Sequence, residues 1–459
     1  MLRRIAGAVG IDKSIAYTSG ARIVQGITGV GTVFFISTFL NGVEQGFYYT
    51  FGSILALQVF FELGLTGIMQ QYVAHEVSHL ELDENSCYRG NDRYRSRLAS
   101  LVRFCLRWYS VLALLVFAFL LIVGFIYFSK FGDKHDTDIQ WRYPWLLICI
   151  GTAFQLFQSP MTAILRGVGY VKEMSKIGFI QQTVIPVCTW IGLAIGLKLY
   201  VLGIGYVISV ALWQIYVSRE GLFKILKNLS KTEITESVAY FKEIFPYQWR
   251  IALSWVSGYF IFQMFNPVLF ATEGAVVAGQ MGMTLQALNA IQSLSLSWMN
   301  TKIPLFSRLI ALKDYTQLDI VFKKTLRQMS AVCTCLLAVF FACIVVLNVT
   351  QFKINGNILA DRFLGYTPLL LMVIPVLLQQ FTGSWATYLR CHKKEPFLVN
   401  SVVGGFLCMA STLCLGKYFG LYGITVGYCC IQIILLFWAY RIFIVKKRQW
   451  HNIKICDPF

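Results

Sequence analysis

The sequence predicts an all-α polytopic membrane protein of about 12 transmembrane helices. They are arranged as two pseudo-symmetric six-helix bundles with both termini cytoplasmic. Three observations carry this. The 459 residues are 57% hydrophobic and only 14% charged, more apolar surface than a soluble fold hides. Apolar runs long enough to cross a bilayer, about 20 residues at 1.5 Å each, recur along the chain. Of the 40 Lys and Arg, 32 fall on one set of alternate connections and seven on the other, with Arg22 inside the first run. That bias puts the ends of the chain on the cytoplasmic side.

The first half holds spans at roughly 14–39, 46–70, 100–128, 144–165, 174–197 and 201–217. The second holds them at roughly 246–270, 274–299, 329–349, 365–389, 397–415 and 421–445. Residues 1–217 and 246–459 are thus two bundles, joined by a charge-rich connector at 218–245. Within it Leu222, Phe223, Ile225, Leu226 and Leu229 recur at helical spacing beside Lys224, Lys227 and Lys231. This reads as an amphipathic helix lying on the inner leaflet. The basic start, Met1-Leu2-Arg3-Arg4, runs into a full span without a small-residue cleavage site, so no removable leader is expected. The net charge of +18 sits on loops beside the membrane, which points to lipid and not to nucleic acid. Thirteen cysteines form no CxxC pair and mostly sit in apolar runs, as small hydrophobes do.

The halves echo each other in order. Leu165-Arg166 and Lys172-Glu173 before the fifth span match Leu389-Arg390 and Lys394-Glu395 before the eleventh. Leu202-Gly203-Ile204 matches Tyr422-Gly423-Ile424, and Gly42 with Gly46 matches Gly274 with Gly279. Six spans per repeat is an even number, so the repeats run parallel.

Polar groups inside spans are costly and mark function first. Arg22 and Gln25 share a face with Gly29 and Thr32 on span one; Gln58, Glu62, Thr66 and Gln70 share one on span two. Arg250 lies on span seven, and Gln286 and Asn289 on span eight. Such stripes at matching places predict one aqueous cavity between the halves, where an arginine would meet an anionic group bidentately. The competing reading is a structural Arg22–Glu62 pair with amides as interhelical glue. Tyr48 and Tyr49 could stack on sugars or belong to the interfacial belt. No metal site or cofactor is expected in the transport reading, with a proton or sodium ion as the coupling candidates.

His75-Glu76-Val77-Ser78-His79 matches the HExxH zinc-protease pattern. It falls at a charged helix exit, with Glu81 and Glu84 nearby and the other histidines (His135, His392, His451) far away in the chain. A solvated helix end explains it more simply. No span holds a histidine, no long outer loop exists, and no glycine-rich phosphate cradle is present, which disfavours membrane acyltransferase, sugar polymerase and ATPase chemistry.

The stretch Phe60-Phe61-Glu62-Leu63-Gly64-Leu65 ahead of Tyr72-Val73-Ala74 resembles the end of span two in polysaccharide flippases of the multidrug/oligosaccharidyl-lipid/polysaccharide (MOP) exporter superfamily. Trp298, Lys302, Pro304, Ser307-Arg308-Leu309 and Lys313-Asp314 resemble the turn after their span eight. Leu389-Arg390 with Lys394-Glu395-Pro396 resembles the start of their span eleven. The resemblance implies two six-helix bundles in a V. It implies a bacterial inner-membrane protein, not an enzyme, that flips an undecaprenyl-pyrophosphate-linked oligosaccharide by alternating access for O-antigen, lipopolysaccharide or capsule synthesis. Arg22 takes the place of a first-span cation used toward the pyrophosphate or as a gate. Membrane lipids and polysaccharide polymerase machinery are the implied partners. A drug/cation antiporter of the same superfamily is the alternative, and Glu62 is the deep carboxylate it would use.

Overall fold

The computed structural model describes residues 13–83, 87–132, 139–354, 357–392 and 394–451, with side chains from Val24 onward apart from Tyr247, Ile354 and Asn357. The chain is an all-α polytopic membrane protein. Helix α1 (Lys13–Phe39) is followed by α2 (Gly42–Leu55), a 3-10 turn, the single-turn α3 (Val59–Glu62) and α4 (Leu65–Val77). A hairpin of β1 (Leu80–Leu82) and β2 (Tyr88–Gly90) precedes α5 (Asp92–Phe131), α6 (Arg142–Gly167), α7 (Val171–Ala194) and α8 (Tyr200–Arg219). Next come α9 (Leu222–Lys231), α10 (Phe245–Phe262), α11 (Phe265–Thr272), α12 (Ala275–Asn300), α13 (Ile303–Ala311) and α14 (Tyr315–Val349). A second hairpin, β3 (Lys353–Ile354) with β4 (Asn357–Ile358), leads to α15 (Tyr366–Arg390) and α16 (Leu398–His451).

Among the described residues, seven helices are long and apolar enough to cross a membrane, and eight if the bent pair α2–α3 and α4 is one span. Of the other expected crossings, the first falls on α1, which is apolar over Val24–Phe39, and the seventh and eighth fall on helices that are interrupted, as α10 and α11 are, or rich in amides and serines, as α12 is. Straight, the 54 residues of α16 would reach about 80 Å, far more than a bilayer. They are two helices meeting at Gly420 (φ 54°, ψ −135°), where the Leu421 N–H donates to Glu273 Oε1 at 2.5 Å.

The chain packs as two units. One comprises the residues up to Thr28 with Ile54–Trp255; the other comprises Gly29–Ser53 with Val256–Phe459. In the first, α5 begins with an Asn91 cap whose side chain accepts from the Arg93 N–H at 2.9 Å. Its early turns are polar, and from Trp108 to Ser129 it carries no charge. Gly124 lets Trp145 of α6 lie flat against α5; a methyl group there would come within 2.1 Å of the indole.

The apolar face of α9 does not lie on a leaflet. Leu222, Ile225, Leu226 and Leu229 are all buried within the protein, and Phe223 meets Trp213 of α8 edge-on at 5.9 Å. The reading of a membrane-surface helix is corrected for a simple reason: the unit's own helices cover that face and leave the lysines outside. Beyond α9 the connector is stapled to α5. Ser96 Oγ accepts from the N–H groups of Thr235 and Glu236 at 2.7 and 2.8 Å. Arg103 donates to the carbonyls of Ser230 (2.6 Å) and Thr232.

The second unit contains a seam in which glycine permits backbone contact. A methyl at Gly46 of α2 would lie 1.9 Å from the Ala275 carbonyl oxygen, and one at Gly279 would lie 2.8 Å from the Gly46 nitrogen. Gly46 and Gly279, one from each of the repeat-related pairs, thus serve one close approach. Gln45 Nε2 bridges it, donating to the carbonyls of Gly279 (2.8 Å) and Arg362 (3.0 Å).

Candidate functional site

The second expected span is broken where its charge sits. Leu63 (φ 51°, ψ 32°) and Gly64 (φ 70°, ψ 13°) are both left-handed, and the helices on either side differ in direction by 44°. Glycine takes this conformation freely, whereas leucine does so at a cost of about 1–2 kcal/mol. Gly64 is required on a second count, since a methyl there would meet Ile251 of α10 at 2.7 Å. Glu62 is the last residue before the break.

Around it opens a cavity of about 410 Å³, built wholly from the first unit. The broken span supplies Gln58, Glu62, Thr66 and Gln70. Helix α6 supplies Gln155, Gln158, Ser159, Thr162 and Arg166, while α7 and α8 add Gln181, Ser209 and Trp213. One cluster fixes the carboxylate. Thr66 Oγ1 donates to Glu62 and also lies 2.8 Å from the Tyr109 hydroxyl and 3.0 Å from Ser159 Oγ. Two amides are anchored to α8: Gln158 Nε2 donates to the Val210 carbonyl at 3.1 Å, and Gln181 Nε2 to Ser209 O at 2.9 Å. Among the described residues, Gln58, Gln70 and Gln155 and the Arg166 guanidinium make no side-chain hydrogen bond within the protein. The cavity therefore pairs one held carboxylate with free amides and a free guanidinium, a set able to take hydroxyls, a cation or an anionic group.

Arg22 has its side chain outside the described residues. Gln25 is exposed, and Arg250 is exposed with its guanidinium 5.6 Å from the ring of Trp249. Gln286 is engaged in the glycine seam of the second unit: its Oε1 accepts from the Tyr49 hydroxyl at 2.6 Å and its Nε2 donates to the Gly29 carbonyl at 3.3 Å. Asn289, one helical turn along, is exposed. Of the seven residues singled out by sequence, Gln58 and Glu62 come together in this cavity. The α6 contribution was missed, although residues 155, 158, 159, 162 and 166 form a polar stripe at helical spacing in an apolar run.

The HExxH residues do not assemble a zinc-protease centre. Glu76 is 2% exposed and accepts from Arg97 Nε at 3.1 Å, while Arg97 Nη2 donates to Glu243 of the connector at 2.7 Å. Its carboxylate is the partner of a guanidinium and is not placed to activate a water. His79 stacks on Tyr94 with ring centroids 4.0 Å apart, and His75 points outward. Among the described residues no three His, Cys, Asp or Glu side chains gather around one point; Glu84 and His135 lie outside them. The bond to Glu243 holds that carboxyl below the usual range.

No protein-family model matches the sequence, and no curated protein matches it. Solved structures do match the fold. An inward-facing multidrug resistance MATE family transporter of the MOP superfamily aligns with a TM-score of 0.61 at 11% identity, covering 94% of this chain and 100% of the other. An outward-facing multidrug resistance MATE family transporter of the same superfamily aligns at 0.56 and 12%, covering 98% of both chains. The lipid II flippase MurJ, in an inward closed conformation, aligns at 0.54 and 11%, covering 95% of this chain and 93% of its own. The chain is similar to these in fold over nearly its whole length.

Proposed function

We propose that this protein is a flippase that carries an undecaprenyl-pyrophosphate-linked oligosaccharide from the cytoplasmic to the periplasmic leaflet for surface polysaccharide synthesis. The single observation that carries the reading is the cavity beside Glu62, where the amides of Gln58, Gln70 and Gln155 and the guanidinium of Arg166 have no hydrogen-bond partner among the described residues. Amides suit sugar hydroxyls, which both donate and accept, and a guanidinium suits a phosphate oxygen pair. The lipid tail needs no site, because the bilayer already solvates it.

In this reading the protein sits in a bacterial inner membrane with both termini in the cytoplasm. The repeats 1–217 and 246–459 move against each other about the connector at 218–245, exposing the head-group path to one side at a time. The discontinuous span at Leu63–Gly64 supports it, since broken helices place polar backbone where a polar cargo passes. Arg22 is assigned to the pyrophosphate or to the gate, and the polymerase machinery is the partner downstream.

A second reading, a drug or cation antiporter driven by protons or sodium, is favoured by one specific feature: the cavity holds a carboxylate that accepts from the Thr66 hydroxyl and, among the described residues, pairs with no cation. Deletion of the gene in its native host separates the two. A flippase predicts lipid-linked oligosaccharide collecting on the cytoplasmic face and loss of the surface glycan, rescued by the wild-type gene and not by Arg22→Ala. Unchanged glycan together with raised sensitivity to cationic drugs would select the antiporter.

A further inference from the structure

A second cavity, of about 500 Å³, lies between the early turns of α5 and the connector that follows α9, away from Glu62. Arg103, Phe104, Arg107 and Trp108 line it from α5, and Ile234 and Ser237 line the opposite wall. Among the described residues no carboxylate borders it. The two arginines lie one helical turn apart, but their duties differ. Arg103 is committed to the Ser230 and Thr232 carbonyls. Arg107 is exposed and makes no hydrogen bond or ion pair within the protein among the described residues.

Position narrows the occupant. No charged residue follows Arg107 until Lys130, so Arg107 marks the level where α5 leaves the aqueous boundary and enters hydrocarbon. Trp108, 45% exposed, is the amphipathic ring expected at head-group depth, and it runs parallel to Phe104 (10° between ring planes). Val111, one turn deeper, continues the groove into the apolar zone, and Ile234 is 37% exposed on the other side.

We propose that this groove is a binding site for the phosphate head group of an anionic membrane phospholipid. The free fork of Arg107 takes two phosphate oxygens and the Ser237 hydroxyl donates to a third. The Phe104–Trp108 plane and Val111 line the start of the acyl chains. Positive charge at head-group level attracts anionic lipid at about 1 kcal/mol per arginine, and a guanidinium adds bidentate geometry that a lysine lacks. Because Arg107 and Ser237 lie on α5 and on the connector, one bound lipid would brace the segment that joins the two sequence repeats. The site is independent of the cargo assigned above.

The test uses delipidated full-length protein in neutral detergent, titrated with short-chain phosphatidylglycerol or phosphatidylcholine, with bound lipid counted by native mass spectrometry. Wild type is expected to retain phosphatidylglycerol in preference to phosphatidylcholine. Arg107→Gln should weaken that retention about five-fold, whereas Lys231→Gln, an exposed cation of the same connector outside the groove, should not. Equal loss in both variants would mean diffuse surface attraction and overturn the proposal, as would no loss in Arg107→Gln. Displacement of phosphatidylglycerol by equimolar inorganic phosphate would make it a free-anion site, and preferential displacement by a polyprenyl pyrophosphate would make it part of the cargo path; either overturns it. If Arg107→Gln fails to fold, Ser237→Tyr, which fills the groove from the exposed wall, should give the same loss.

Discussion

Helices α6 and α15 occupy the same place in the two repeats, 224 residues apart by the matching Leu165-Arg166 and Leu389-Arg390, yet they use the same side chains differently. Gln155 of α6 faces the cavity with no hydrogen-bond partner among the described residues. Its counterpart on α15, Gln379, accepts from Gln292 Nε2 at 3.1 Å and donates to the Tyr428 hydroxyl at 2.7 Å. Arg166 is free at the rim of the cavity, while Arg390 binds Glu395 through two nitrogens at 2.7 and 3.0 Å. Ser159 and Thr162, which line the cavity, correspond to Gly383 and Ala386. One repeat closes its polar groups on each other and the other leaves them open around a carboxylate. A polar residue in a membrane helix is therefore not by itself a site; the absence of a protein partner distinguishes the two cases.

The strongest way to break that contrast is at Glu62. Glu62→Gln keeps the shape and can still accept from Thr66 through its amide oxygen, but it removes the carboxylate's charge-assisted contact with any cargo or ion, worth about 1.5–3 kcal/mol. If cargo or coupling ion meets this group, transport in reconstituted vesicles should fall roughly 10- to 150-fold, with insertion and detergent stability little changed. Transport within two-fold of wild type would remove Glu62 from the mechanism and leave the cavity as a packing fault.

How much of this was legible in the sequence follows the same divide. Membrane class needed only composition, and the Gln58–Glu62–Thr66–Gln70 face needed only helical spacing. The break at Leu63–Gly64 was not read, since a lone glycine in an apolar run signals many things and the steric demand comes from Ile251, 187 positions away in the chain. The α6 stripe is visible in the sequence at helical spacing, but no ionisable residue lies inside its apolar run to mark it, Arg166 falling at the helix end. Gln286 looked like a cavity residue because sequence shows an amide and not its partner; Tyr49 and Gly29, each more than 200 residues away, decide the matter.

A smaller effect sharpens the comparison by exchanging readouts between the repeats. Gln155→Leu removes an amide that makes no hydrogen bond among the described residues, so stability should hold or rise slightly while transport falls several-fold. Gln379→Leu removes two interhelical bonds, each worth about 0.6–1.7 kcal/mol in a membrane, so the melting temperature should drop while transport per folded molecule stays near wild type. Thermal unfolding in detergent and vesicle transport, measured on both variants, give a crossed pattern if the contrast holds and a parallel one if it does not.

The smallest expected effect concerns a cation of the open repeat that is fully engaged. Arg97 holds Glu76 and Glu243 together, and its bond keeps the Glu243 carboxyl below the usual glutamate range. A carboxyl whose folded value is depressed binds protons more readily when unfolded. Its contribution is therefore complete above the ordinary glutamate value of about 4.3 and is lost as pH falls through that value toward the lower folded one. Glu243 is about one-third exposed, so the size is that of a surface pair, under about 1 kcal/mol. Melting temperature should decline modestly as pH drops below about 4.5, and Glu243→Gln should flatten part of that decline. Lys447→Gln, which opens the 2.5 Å pair with Asp319 in the other unit, should lower stability but leave the Glu243 part of the acid limb in place. If Glu243→Gln leaves the acid limb untouched, the connector is held by the Ser96 and Arg103 bonds alone, and the ion pair contributes geometry without measurable stability.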